Sequence, residues 1–135
     1  MPYQGIHMKR LLLIMLLVLS ASPAYAEWVE IDSTDTYTLY ADPDTILRKE
    51  DLVKMWVLYD YKIAMSVKGE MTFSAMSQSE YDCVAESSRS LAFTFFSGHM
   101  RTGETLYSNS YIGKWEPVPP GGISHSMWKF ACDKK

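Results

Sequence analysis

Between Leu52 and Tyr61 the chain alternates with a period of two. Val53, Met55, Val57, Tyr59 and Tyr61 fall on one side, and Leu52, Lys54, Trp56, Leu58 and Asp60 on the other. Side chains repeat every second residue in a strand and every 3.6 residues in a helix, so this run is a β-strand. Both of its sides carry large apolar groups, which requires cover on both: the core on one side and a second element on the other. A second strand follows from Arg89 to Ser97, with Leu91, Phe93 and Phe95 on one side and Ser90, Ala92, Thr94 and Phe96 on the other. Shorter candidates are Trp28 to Ile31, Tyr37 to Ala41, Gln78 to Cys83 and Glu104 to Ser108, each rich in aromatic or β-favouring residues. The count comes to about six strands.

The segments between them favour antiparallel neighbours. Ser33-Thr34-Asp35 separates the first two candidates, and Asp42-Pro43-Asp44 ends the second and opens a turn or helical step over Thr45 to Lys49. Gly98 and Gly103 bracket His99 to Thr102, a loop of hairpin length. No stretch between strands has the amphipathic crossover helix that a parallel sheet needs. The last segment has two readings. As a strand, Trp128, Phe130 and Cys132 point inward; as a helix, Ile123, Met127, Phe130 and Ala131 form one stripe with Trp128 and Cys132 beside it, while His125, Lys129 and Asp133 form a polar one. Gly121-Gly122 as a flexible entry and Ser124 as an N-cap favour the helix. The expected class is α+β, mainly β: about six antiparallel strands with one C-terminal helix packed across them.

The first 26 residues read as an address. Lys9 and Arg10 precede an apolar run from Leu11 to Leu19, followed by Ser20, Pro23 and the A-x-A site Ala24-Tyr25-Ala26. This is the pattern of a secretory signal peptide, and the run is too short for a bilayer span of about 20 residues. Met8 would be a more usual start than Met1. No cysteine lies near the cleavage site to carry a lipid, so the exported domain, residues 27–135, is expected to be soluble in the periplasm or outside the cell, with no stable membrane span. Cleavage removes two positive charges and no negative ones, moving the net charge from −3 to −5. Such an acidic chain lacks the basic surface that nucleic acid requires.

Cys83 and Cys132 are the only cysteines, and export delivers both to an oxidising compartment. A single disulfide is the economical reading. It would close a loop of about 50 residues, worth about 4 kcal/mol on the chain-entropy estimate. A metal site or a redox pair competes, but there is no C-x-x-C spacing and few histidines. If the two cysteines join, they pin the terminal helix to a strand.

Chemistry leaves little trace. G-x-S-x-G, H-E-x-x-H, G-x-G-x-x-G and Walker patterns are absent, so neither an enzyme nor a cofactor or metal site is expected. His99, between Gly98 and Met100, has the chemistry of a general base or ligand, yet no oriented partner can be named; it reads as a solvent-facing loop histidine. His125 fits the polar stripe of the helix. Pro117-Val118-Pro119-Pro120 reads as a stiff connector rather than a docking motif. Trp28, Tyr37, Tyr40, Trp56, Tyr59, Tyr61 and Trp115 are enough to build both a core and a binding face, with Trp56 and Leu58 expected under the helix or a partner chain. Exposed sheet edges also make a homodimer a candidate assembly.

The order of motifs resembles the surface-adhesin protein E family of Gram-negative bacteria. It runs through Trp28-Val29, Tyr40-Ala41-Asp42-Pro43, Val57-Leu58-Tyr59-Asp60-Tyr61, Tyr81-Asp82-Cys83, Phe96-Ser97-Gly98 and Gly103-Glu104, then Trp115 to Gly121, and closes on Trp128-Lys129 and Cys132. The resemblance implies a β-sheet domain with a disulfide-tied C-terminal helix. It also implies an exported, non-enzymatic binding or adhesion protein whose partner is a host or environmental macromolecule. The alternative is a periplasmic structural or accessory protein that binds another envelope component.

Overall fold

In the computed structural model, which describes residues 27–133, the strand expected at Leu52 is the axis of the molecule. The eight strands are β1 (Val29–Ser33), β2 (Tyr37–Ala41), β3 (Leu47–Lys49), β4 (Leu52–Val67), β5 (Glu70–Asp82), β6 (Ser87–Phe96), β7 (Thr105–Ser110) and β8 (Glu116–Pro117), followed by the helix α1 (Ile123–Asp133). All pairings are antiparallel, in the order β1-β2-β4-β5-β6-β7, with β3 beside β4 and β8 beside β6. The six-strand path is the expected sheet, and the class is as the sequence implies. The expected signal peptide, residues 1–26, lies outside the described residues.

Two short strands were not expected. Leu47–Lys49 reads as a turn because all three residues are exposed and show no apolar alternation. It pairs with Leu52 to Lys54 because Glu50, at φ 56°, turns the backbone back on itself. The start of the proline segment is likewise a strand rather than a free connector. Glu116 and Pro117 pair with Ser88 and Ser87, and Val118 donates its N–H to the Glu86 carbonyl at 2.9 Å. Pro117 is tolerated there because an edge position need not donate to the ladder.

β4 and β5 also run further than their apolar alternation. They meet at Lys68 (φ 51°) and Gly69 (φ 82°), two left-handed residues in the two-residue hairpin geometry that follows strand twist. Between Asp60 and Met65 the register slips, which breaks the period-two signal just where the sequence reading stopped.

One side of the sheet is covered by α1. Leu39, Ala41, Val53, Met55, Val57, Tyr81 and the helix residue Ala131 form the buried core, with Ile123, Met127, Trp128, Phe130 and Cys132 packed against it. The predicted helix stripe is therefore the buried one. The cap is displaced: the helix opens at Ile123, so Gly122 stands at the cap position, and its carbonyl accepts the Ser126 N–H at 3.1 Å, with Ser124 already inside the first turn.

Eleven residues make a marginal helix in water, and polar and covalent ties hold this one in place. Cys132 is bonded to Cys83, with Cα atoms 5.7 Å apart. Trp128 Nε1 donates to the Asp82 carbonyl at 2.9 Å, and Ser126 Oγ donates to Asp32 Oδ2 at 2.8 Å. Arg48 of β3 donates to the Cys132 carbonyl at 2.8 Å, placing a cation where the helix ends in unpaired carbonyls.

Two outcomes follow from this packing. Replacing both cysteines by alanine is expected to lower stability by about 2–4 kcal/mol, seen as a lower urea midpoint; an unchanged midpoint would contradict the clamp. Tyr59 lies under the helix, and burial, with Tyr37 and Tyr61 adding to it, pushes its phenol up to about 12 from the ordinary 10.0. Between these values the unfolded chain has released a proton that the folded chain keeps. The stability from neutral Tyr59 is thus intact below pH 10.0 and falls as pH rises toward 12. Urea titrations across this window should show the loss, and Tyr59→Phe should reduce it.

Candidate functional site

The sheet side away from α1 carries Lys54, Trp56, Leu58 and Asp60 on β4, with Glu80, Gln78, Met76 and Ser74 opposite them on β5. Leu58 is fully buried without lying under the helix. The chain itself folds back over this side. A 3-10 turn at His99–Arg101, between β6 and β7, is fastened to Asp60 and Ser74, the neighbours of Leu58 and Met76 along the two strands. Of the two residues expected under the helix or a partner chain, Leu58 is covered beside this turn and Trp56 lines a cavity next to it.

That turn is held in an unusual backbone shape. Met100 (φ 52°) and Arg101 (φ 67°) are both left-handed, a conformation costing about 1–3 kcal/mol for each such non-glycine residue. Its surroundings over-determine it. Asp60 Oδ1 accepts the Met100 N–H at 2.9 Å and faces His99 Nδ1 at 3.1 Å. Buried Ser74 donates its hydroxyl to the Gly98 carbonyl at 2.6 Å and accepts the Arg101 N–H at 3.0 Å. Gly98 accepts no side chain, because a Cβ there would collide with Thr102.

His99 therefore has the oriented partner that sequence could not name, and its ring also packs on Phe73 with centroids 5.0 Å apart. Asp60, His99 and Ser74 meet in one turn, but this is no nucleophile relay: the serine proton points to a backbone carbonyl and the serine is buried. His125 stacks on Trp128 at 5.8 Å along the helix. Among the described residues no cluster of three or more His, Cys, Asp or Glu is gathered to hold a metal, and no helix is long and apolar enough to cross a membrane.

Beside the turn lies a cavity of about 330 Å³ lined by Trp28, Asp42, Thr45, Trp56, Met76 and Arg101. Its walls are stitched together through Thr45. That hydroxyl donates to the Asp42 carbonyl at 2.7 Å and accepts the Trp56 N–H at 3.1 Å, while Asp42 Oδ1 caps the Pro43–Thr45 turn through the Asp44 N–H. The guanidinium of Arg101 and the indole N–H groups of Trp28 and Trp56 have no hydrogen-bond or ion-pair partner among the described residues. The site thus combines a mainly apolar lining with two unused indole donors and one unpaired cation, the Arg101 guanidinium.

The other aromatics separate from this pair. Tyr37 packs edge-on to Tyr59 and Tyr61 in the core, and Trp115 lies over Arg89, whose guanidinium is paired with buried Glu80 at 2.6 Å. Sequence listed Trp28 and Trp56 only among many aromatics and missed Arg101 and Met76. Gly98 and Gly103 flanking a short loop were the available signal that a constrained turn sits there.

A family model for surface-adhesin protein E matches residues 28–133. The chain belongs to that family. The family read from Tyr81-Asp82-Cys83 and the Trp115 to Gly121 segment is thereby the family of the chain. Solved structures carry the same fold. Haemophilus influenzae protein E in its crystal form II aligns with a TM-score of 0.60 and 12% identity, covering 82% of this chain and 97% of that one. Protein E from non-typeable Haemophilus influenzae aligns with a TM-score of 0.57 and 11% identity, covering 81% and 86%. At such identities the likeness concerns the fold alone. No curated protein matches the chain.

If Asp60 holds the turn, Asp60→Ala should cost about 1–3 kcal/mol by removing the carboxylate that accepts the Met100 N–H, a loss partly offset as the two left-handed residues relax. Amide exchange at residues 99–102 should quicken more than exchange in β5, and equal protection at both would show that the turn is held otherwise.

Proposed function

We propose that the chain is an exported adhesion-type binding protein that grips a partner macromolecule through the Trp28–Trp56–Arg101 cavity. One observation carries this reading: two consecutive left-handed residues, locked by Asp60 and Ser74, present an unpaired guanidinium beside two tryptophans. Strain of that kind persists where a side chain must be aimed, and tryptophan and arginine are the residues that most often dominate binding energy. The chemistry suits a protein partner that inserts an apolar side chain flanked by a carboxylate. The Lys9 to Ala26 segment supports export, and family membership supports adhesion as the activity.

Retention of the immobilised protein's partners, from host-cell surface extract and separately from envelope extract, tests the reading. Arg101→Glu and Trp56→Ala are each expected to reduce the retained partner at least about tenfold, the loss of one hot-spot contact, with thermal unfolding within a few degrees of the parent. Equal retention by all three proteins would remove the cavity from recognition. Protease treatment of intact cells then separates surface adhesion from an envelope-internal role, since only a displayed domain is degraded before the outer membrane is opened.

A further inference from the structure

The helix-bearing side of the sheet is not fully covered by α1, and what remains open is hydroxyl-rich. Along β5 and β6 the register slips between Gln78 and Ser79: Gln78 pairs with Ala92 but Ser79 pairs with Ser90, leaving Leu91 as the extra residue. A bulge of this kind reverses the side to which the preceding residues point. Ser88 and Ser90, placed by simple alternation with Thr94, instead join Ser77 and Ser79 on the helix side. The four serines floor a cleft of about 310 Å³. Tyr59, whose hydroxyl donates to Met127 Sδ at 3.6 Å, bounds it toward the helix, and Lys114 and Glu116 stand across from it.

Beside this floor is an anomaly. The Tyr81 hydroxyl is buried and has no hydrogen-bond partner among the described residues. A buried polar group in that condition calls for an explanation. Burial raises its phenol, with Tyr59 adding to the shift and the hydrogen-bonding capacity of the nearby Ser79 hydroxyl opposing it. On β5, Tyr81 and Ser79 are two residues apart on the same side. The Ser79 hydroxyl is the neighbouring group that can accept from Tyr81, and an accepting Ser79 keeps its own proton for the cleft, a hydroxyl chain in which each member strengthens the next.

We propose that this cleft is a binding site for a single neutral sugar ring. The serines offer donors and acceptors at the spacing of strand residues, which suits an edge of adjacent ligand hydroxyls. Tyr59, the one aromatic side chain in the lining, supplies an apolar flank for the C–H face of the ring. Lys114 and Glu116 are of opposite sign, and Arg89 is already paired with Glu80, so the lining selects neither anion nor cation. The volume, at the low end of small-molecule sites, holds one ring rather than a chain. The cleft and the tryptophan cavity lie on opposite sides of the sheet, so this site stands or falls independently of the proposed grip on a macromolecule.

Titration of methyl glucoside, methyl galactoside and methyl mannoside into the isotope-labelled protein, followed by amide chemical shifts, tests the site. At least one of the three should give saturable millimolar binding with shifts centred on Ser77, Ser79, Ser90 and Gly113. Ser79→Ala should weaken it about tenfold, and Tyr81→Phe about fivefold, the effect of one hydrogen bond in the chain. Trp28→Ala, in the opposite cavity, should leave it unchanged. The proposal is overturned if none of the three sugars saturates, if glycerol reproduces the same shifts, or if Ser79→Ala, with its amide spectrum otherwise preserved, binds as the parent does.

Discussion

An eleven-residue helix has too few internal hydrogen bonds to persist unaided, yet the core of this domain is closed by one. Everything on that side of the sheet depends on α1 staying put. Its apolar stripe buries Val53, Met55 and Val57 of the central strand, and the Cys83–Cys132 bond keeps the stripe in reach even when local contacts break. Polar groups then fix its orientation: Trp128 on the Asp82 carbonyl beside the disulfide, Ser126 on Asp32 at the far sheet edge, and Arg48 at the helix end. The small strand β3 has its reason here, since three exposed residues paired to β4 bring a guanidinium to the last carbonyls of the helix.

The two sides of the sheet are finished by different means, and each leaves an opening. On one, the helix packs on β1, β4 and β5 and stops short of β6, where a bulge gathers serines. On the other, a turn between β6 and β7 reaches back across β5 to β4 and leaves a cavity between itself and the two tryptophans. Both openings arise from departures from regular backbone geometry, an extra residue at Leu91 and left-handed residues at Met100 and Arg101. Regular strands build the frame, and the irregular positions decide what the frame presents.

That division explains what the sequence made legible. The period-two run at Leu52 to Tyr61 announces β4 because each of its two faces is largely apolar and is covered, and the helix stripe from Ile123 to Ala131 is legible because it is buried as a stripe. The cysteine pairing is legible because there is only one pair to make. Edge strands β3 and β8 bury too little to leave a pattern, and the continuation of β4 past Tyr61 is hidden by the register slip before Met65. The site residues come from separated segments, Trp28, Asp42 to Thr45, Trp56, Met76 and Arg101, which only the pairing of strands brings together. The aim of Arg101 depends on a backbone angle that its neighbours impose and that no residue type at positions 100 or 101 announces. Ser88 and Ser90 change sides for the same kind of reason: alternation counts residues, and a bulge adds one without any mark in composition.

The placement of the disulfide also decides how the domain bears a load. Cys132 sits at the end of the helix and Cys83 just beyond β5, so tension applied to the chain after Cys132 passes through a covalent bond into the end of a central strand. The span between the two cysteines, which are 49 positions apart and enclose β6, β7 and most of the helix, is left slack in that direction. Tension applied ahead of Trp28 meets β1 instead, an outer strand held to β2 and to the helix by noncovalent contacts only. The domain is therefore tough at one end and peelable at the other.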